Sequence, residues 1–177
     1  MENNNGKRTH HIYECLSCLP EKMISVHGAK NLSEFLLHEL ANESVFNLEK
    51  AAYFVDNPDF NTLKGIAGYN KNERCTQYAD IWNQPELFTD YMAKAKFNNI
   101  VRAVSRPSVK HNNANEASVV NELAEYLGLK DPKYYTWDMK HGNHGILVVE
   151  HSNTESEKEL EEHVRRGACL LGFCPVR

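Results

Sequence analysis

The stretch Tyr134-Tyr135-Thr136-Trp137-Asp138-Met139-Lys140-His141-Gly142-Asn143-His144-Gly145-Ile146-Leu147-Val148-Val149-Glu150 places a turn signal between two strand signals. Tyr134 to Met139 alternates, with Tyr135, Trp137 and Met139 on one face. Ile146 to Val149 is apolar without interruption, the pattern of a strand covered on both faces. Gly142-Asn143 suits a two-residue type II′ turn, which takes glycine first. The two segments are therefore expected to pair antiparallel. That turn would set His141 opposite His144, Met139 opposite Ile146 and Trp137 opposite Val148.

Outward from the hairpin, two earlier strands are expected. Lys50 to Asp56 reads as a strand through Ala52, Tyr53, Phe54 and Val55, and Asn57-Pro58-Asp59 stops it. Thr62 to Tyr69 reads as its return, loosened by Gly65 and Gly68. A helix is expected over Asn31 to Asn42, with Asn31 as its cap and Glu34 completing a capping box. Leu32, Phe35, Leu36 and Leu40 form its apolar stripe. Another starts at Pro85 and runs on toward Val104, ending before Pro107. A third spans Asn115 to Leu127, with Gly128 as its stop. The last spans Glu155 to Leu171, capped by Thr154 with Glu157 three residues on. Helices and strands mix without strict alternation. The expected class is α+β, a small, partly antiparallel sheet covered by four or five helices. Residues 1–11 read as a disordered polar N-terminal tail and 12–177 as a single globular domain.

Composition bounds the function classes. The chain has 177 residues, 41% hydrophobic and 25% charged, and a net charge of −4. That balance disfavours nucleic acid and anionic membrane surfaces as partners. No run approaches the ~18 apolar residues of a membrane span. The polar start has no apolar h-region, so no secretory signal is read. Five cysteines, an odd number, point to free thiols in a reducing compartment, and the expected location is the cytoplasm.

Three groups of residues could carry chemistry. The first is His141 with His144. Directly opposed across a hairpin, two imidazoles lie ~5 Å apart at Cβ and can share a metal, Zn or Fe, above an apolar wall. Without a metal, histidine can act as acid or base near neutral pH. The competing reading is a polar turn with both rings in solvent. The second group is Cys15 and Cys18, with Cys169 and Cys174 from the other end of the chain. Four thiolates suit zinc or an iron–sulfur cluster, and a C-x2-C pair can also be redox-active. Their apolar neighbours Leu16, Leu19, Leu170, Leu171 and Phe173 suit inert buried thiols instead. The third is an acid-free run between Tyr91 and Asn115 that contains Arg102 and Arg106. One helical turn apart, their guanidinium forks could clamp a phosphate or carboxylate. Those same arginines could simply pair with the protein's own glutamates.

Three functions remain open on these residues. One is a small-ligand or metal pocket at the His141–His144 turn, with or without catalysis. Another is a non-catalytic interaction or regulatory module. A third is a thiol-based metal or redox site. A small-molecule or anionic ligand is the expected partner, and the oligomeric state is left open.

Overall fold

The computed structural model describes residues 3–75, 80–152 and 158–176. Its central strand is β1 (Leu48–Asn57). Ala51, Tyr53 and Val55 point to one side of the sheet and Ala52 and Phe54 to the other, each nearly or wholly buried. A strand apolar at five successive positions, Ala51 to Val55, needs cover on both faces, and this one has it. β1 pairs antiparallel with β2 (Thr62–Asn70) on one side and β5 (His144–His151) on the other. The short β3 (Ser105–Arg106) extends the sheet beyond β2, and β4 (Lys133–Asp138) extends it beyond β5. The order is β3-β2-β1-β5-β4, antiparallel throughout.

One face is covered by α1 (Asn3–Ser25), α2 (Leu32–Ala41), α3 (Pro85–Lys94) and α6 (Lys158–Cys169). Phe35, Leu36, Leu40, Phe88, Met92 and Val164 meet Tyr53, Tyr135 and Leu147 there. The other face is covered by α4 (Lys96–Arg102) and α5 (Glu116–Leu127). Phe97, Val101, Val120, Leu123 and Leu127 meet Phe54, Ile146 and Val148 there. The protein is therefore an α+β fold with helices on both sides of an open antiparallel sheet.

The β4–β5 hairpin forms as expected, but its register does not. Tyr135 opposes Leu147, Trp137 opposes Gly145 and Asp138 opposes His144. The connection is longer than two residues. Met139 N–H donates to Asn143 O at 2.8 Å, and Lys140–Gly142 winds as a 3-10 turn between them. His141 and Gly142 both adopt positive φ, 59° and 69°. The ring of Trp137 decides the register. It lies over Gly145, where a Cβ would fall 2.3 Å from Cε2, and it stacks on Tyr53 at 5.7 Å. An odd shift of register turns every side chain to the opposite face. His144 therefore joins the side of Ile146 and Val148, while Trp137 joins the side of Tyr53 and Tyr135.

The helix expected from Pro85 toward Val104 is two helices. Ala95 takes an extended conformation (φ −64°, ψ 117°) between α3 and α4. Glu73 Oε2 accepts from Phe97 N–H at 3.0 Å and so caps the second helix. The break lets α4 settle on β2, where both glycines admit it. A Cβ on Gly65 would lie 1.8 Å from the Val101 carbonyl oxygen, and one on Gly68 would lie 2.8 Å from Val101 Cγ2.

α1 begins at Asn3 and takes in most of the stretch read as a polar tail. Ile12 and Leu19 are buried on its inner side, with Leu16 and Met23 packed beside them. Pro20 lies inside it. Asn115 caps α5 through Ser118 N–H, and Gly128 closes it at φ 65°. The Thr154–Glu157 cap expected for α6 lies outside the described residues. No helix among the described residues is long and apolar enough to cross a membrane.

Candidate functional site

The hairpin separates the two histidines singled out above. His141 sits exposed in the turn, and His144 is 7% exposed inside the fold. They are not cross-strand partners, because a five-residue connection replaces the two-residue turn. His144 has carboxylates on both ring nitrogens. Glu116 Oε2 lies 2.8 Å from Nε2 and Asp138 Oδ1 lies 3.3 Å from Nδ1. Lys110 Nζ reaches Asp138 at 2.7 Å, and that hydrogen bond holds the Asp138 carboxyl below the usual carboxylate range. Asp56, next along the same row of the sheet, is fully buried. It accepts from the N–H groups of Val109 and Lys110. These contacts fasten α5 and the loop before it to the sheet. They occupy the groups that a ligand would need.

Nor are the four thiols gathered. Cys15 is half-buried and Cys18 exposed on α1, Cys169 is exposed at the end of α6, and Cys174 is buried. Burial pushes the Cys174 thiol up to about 12, and burial also raises Cys15. Cys75, the fifth, is half-buried, and no disulfide links any of them. No group of three or more His, Cys, Asp or Glu side chains among the described residues is arranged to hold a metal.

The two arginines part company. α4 ends at Arg102, and Arg106 belongs to β3, so they do not share a helical face. Arg106 Nη2 is engaged by Glu122 at 2.9 Å. Arg102 stands instead at the edge of a buried polar cluster. Glu34, on α2, is 3% exposed. It does not cap its helix as the sequence suggests; it turns inward, and Asn31 Nδ2 donates to its Oε2 at 2.9 Å. Its Oε1 accepts from Asn98 Nδ2 at 2.9 Å and from Arg102 Nη1 at 3.3 Å. Asn98 is 1% exposed and fully used, since its Oδ1 accepts from Gly68 N–H and its Nδ2 also reaches Met92 O. A buried carboxylate with three donors is a stable anchor. Here it fixes the start of α4 against β2 and α2.

Two cavities meet at this anchor. The first, about 440 Å³, is lined by Lys30, Asn31, Glu34, Lys64, Asn99 and Arg102 among others. The second, about 560 Å³, shares Lys30, Asn31, Glu34 and Arg102 with it. Both volumes fall in the range of small-ligand sites. The Arg102 side chain is 52% exposed, and one of its five N–H donors is used among the described residues. Sequence reading found Arg102 but missed Lys30, Glu34, Lys64 and Asn98. Glu34 carries only a capping signal in the sequence, and the four residues converge from the turn before α2, from α2, from β2 and from α4.

A third cavity, about 280 Å³, is lined by His38, Glu39, Tyr69, Arg74 and Asp80. His38 rests edge-on against Tyr69 and Phe88, and neither ring nitrogen has a hydrogen-bond partner among the described residues. Burial pushes its imidazole down to about 3, so it is neutral. The Glu39 carboxylate is held by Lys22 at 2.6 Å and Trp82 Nε1 at 3.1 Å. These are the contacts of a structural polar core.

Comparison with protein-family models, with curated proteins and with solved structures finds no match. The functional reading therefore rests on the site alone.

Proposed function

We propose that the protein binds a small organic anion, a carboxylate or phosphate group, in the cleft around Arg102. The observation that carries this reading is the state of that guanidinium. Its single bond to Glu34 orients it, and the rest of its fork is unpaired among the described residues where two ligand-sized cavities join. Charge-assisted, bidentate contacts of this kind are the strongest that a surface arginine can offer an anion. Lys30 and Lys64 line the same cavity as Arg102. Asn31 and Asn99 add neutral polar groups. This reading is of a binding site and assigns no reaction. A cytoplasmic setting accords with five cysteines of which none is in a disulfide.

Calorimetric titration with inorganic phosphate and with acetate tests it. Arg102→Ala is expected to weaken binding about tenfold or more, the loss of one charged hydrogen-bonding group. Arg106→Ala is expected to leave it unchanged. Equal losses in both variants, or no binding of either anion to the unmodified protein, would refute the reading.

A further inference from the structure

A simple anion is not the best occupant of the Arg102 fork. Arg102 Nη1 lies 3.3 Å from Glu34 Oε1, so an anion seated on the rest of the guanidinium lies beside a second negative charge, and like charges that close repel. Glu34 is 3% exposed, and a buried charge is screened far less than those of Lys30 and Lys64, which line the same cavity from exposed positions. Glu34 also keeps capacity to accept. A carboxylate has about four acceptor sites. Among the described residues Asn98 and Arg102 donate to its Oε1, and Asn31 alone donates to its Oε2. The remaining acceptor site therefore belongs to Oε2, on a residue that lines the cavity.

We infer that the ligand is an α-amino acid, its carboxylate on Arg102 and its ammonium on Glu34. The inference rests on the anion-binding reading of Arg102 and names the class of ligand that fits it. The ammonium offsets the repulsion that a simple anion meets, and its N–H donates to the carboxylate in a charge-assisted hydrogen bond. Because the Arg102 and Glu34 side chains are hydrogen-bonded to each other, the two charges of the ligand must also be neighbours. An amine on the carbon next to the carboxylate meets that condition. A long spacer carries the ammonium away from Glu34.

Amide chemical shifts of the nitrogen-15-labelled protein, titrated near neutral pH and at low salt with acetate, glycine and 6-aminohexanoate, test these parts. Glycine differs from acetate by the ammonium alone. It is expected to bind about tenfold more tightly, the gain of one charged hydrogen bond. 6-Aminohexanoate is expected to bind like acetate. Glu34→Gln keeps an oxygen for Asn98 and Arg102 but not the charge. In that variant glycine is expected to lose its advantage, while acetate binds as well as before or better. Urea denaturation shows whether the variant keeps its fold, and the comparison of ligands on the unmodified protein does not depend on it. Glycine binding no more tightly than acetate would overturn the inference, and the anion site stands if phosphate still binds. Equal gains for glycine and 6-aminohexanoate would overturn the α-amino class. A glycine advantage that survives in folded Glu34→Gln would overturn the placing of the ammonium. Failure of all three probes and of inorganic phosphate to bind would overturn the anion reading itself.

Discussion

Replacing Gly65 with alanine is the sharpest test of how α4 sits on the sheet. A Cβ at that position would lie 1.8 Å from the carbonyl oxygen of Val101 and 2.7 Å from its carbon. Ordinary C···O contacts begin near ~3.3 Å, so α4 has to retreat by about 1.5 Å. Both atoms in the way are backbone, and no side-chain rotation relieves them. The retreat stretches the Gly65 N–H to Val104 O bond, now 3.0 Å, which contributes about 1 kcal/mol. Overpacking of this kind costs a further ~1–3 kcal/mol. The sum is about 2–4 kcal/mol, or roughly 4–16 °C in Tm for a chain of this length. Gly68→Ala should cost less, because its nearest neighbour is Val101 Cγ2 at 2.8 Å, which can rotate away. Urea denaturation followed by circular dichroism measures both. Since Arg102 ends α4, Gly65→Ala should also weaken anion binding. If Gly65→Ala unfolds within about 0.5 kcal/mol of the parent, α4 does not rest on β2 at this distance and the reasoning fails.

Asn98→Ala removes the partner of Gly68 N–H and one donor to buried Glu34, and should cost about 2–4 kcal/mol in urea. The neutral state of His38 is favoured in the folded protein, so the unfolded chain takes up its proton first. Its contribution is complete above pH ~6.5 and lost as the pH falls toward 3, amounting to about 2 kcal/mol between pH 8 and 5. His38→Leu should flatten that part of the stability curve, and parallel curves would contradict the assignment. Gly145→Ala would place a Cβ 2.3 Å from Trp137 Cε2, forcing the indole off Tyr53. A loss of about 1–3 kcal/mol with altered near-ultraviolet dichroism is expected, and an unchanged spectrum would contradict the hairpin register.

Much of the fold was legible where a local pattern agrees with its surroundings. β1, the return strand β2 and α5 with its Asn115 cap and Gly128 stop lie within a few residues of their sequence readings. The failures share one physical origin, a long-range contact outweighing a local preference. Gly142-Asn143 looks like a tight turn, yet the fit of Trp137 over Gly145 sets a register that a two-residue turn cannot reach. Asn31 and Glu34 match a capping box, yet Asn98 and Arg102 draw Glu34 inward. Nothing between Pro85 and Val104 announces the break at Ala95, because Glu73 from a distant turn caps the second helix. Gly65 and Gly68 read as loose points in a strand, whereas they are the floor on which a helix rests. The candidate site was legible only in Arg102. Its partners become visible once α2, β2 and α4 are brought together.

The central claim is that anions bind at the junction of α2, β2 and α4. Amide chemical shifts recorded during titration of the uniformly nitrogen-15-labelled protein with inorganic phosphate test it most directly. Saturable shifts are expected within residues 30–34, 64–66 and 99–103, the segments that supply most of the lining of the first cavity. Shifts centred on His141 to His144, shifts scattered over the surface, or none at all would contradict it.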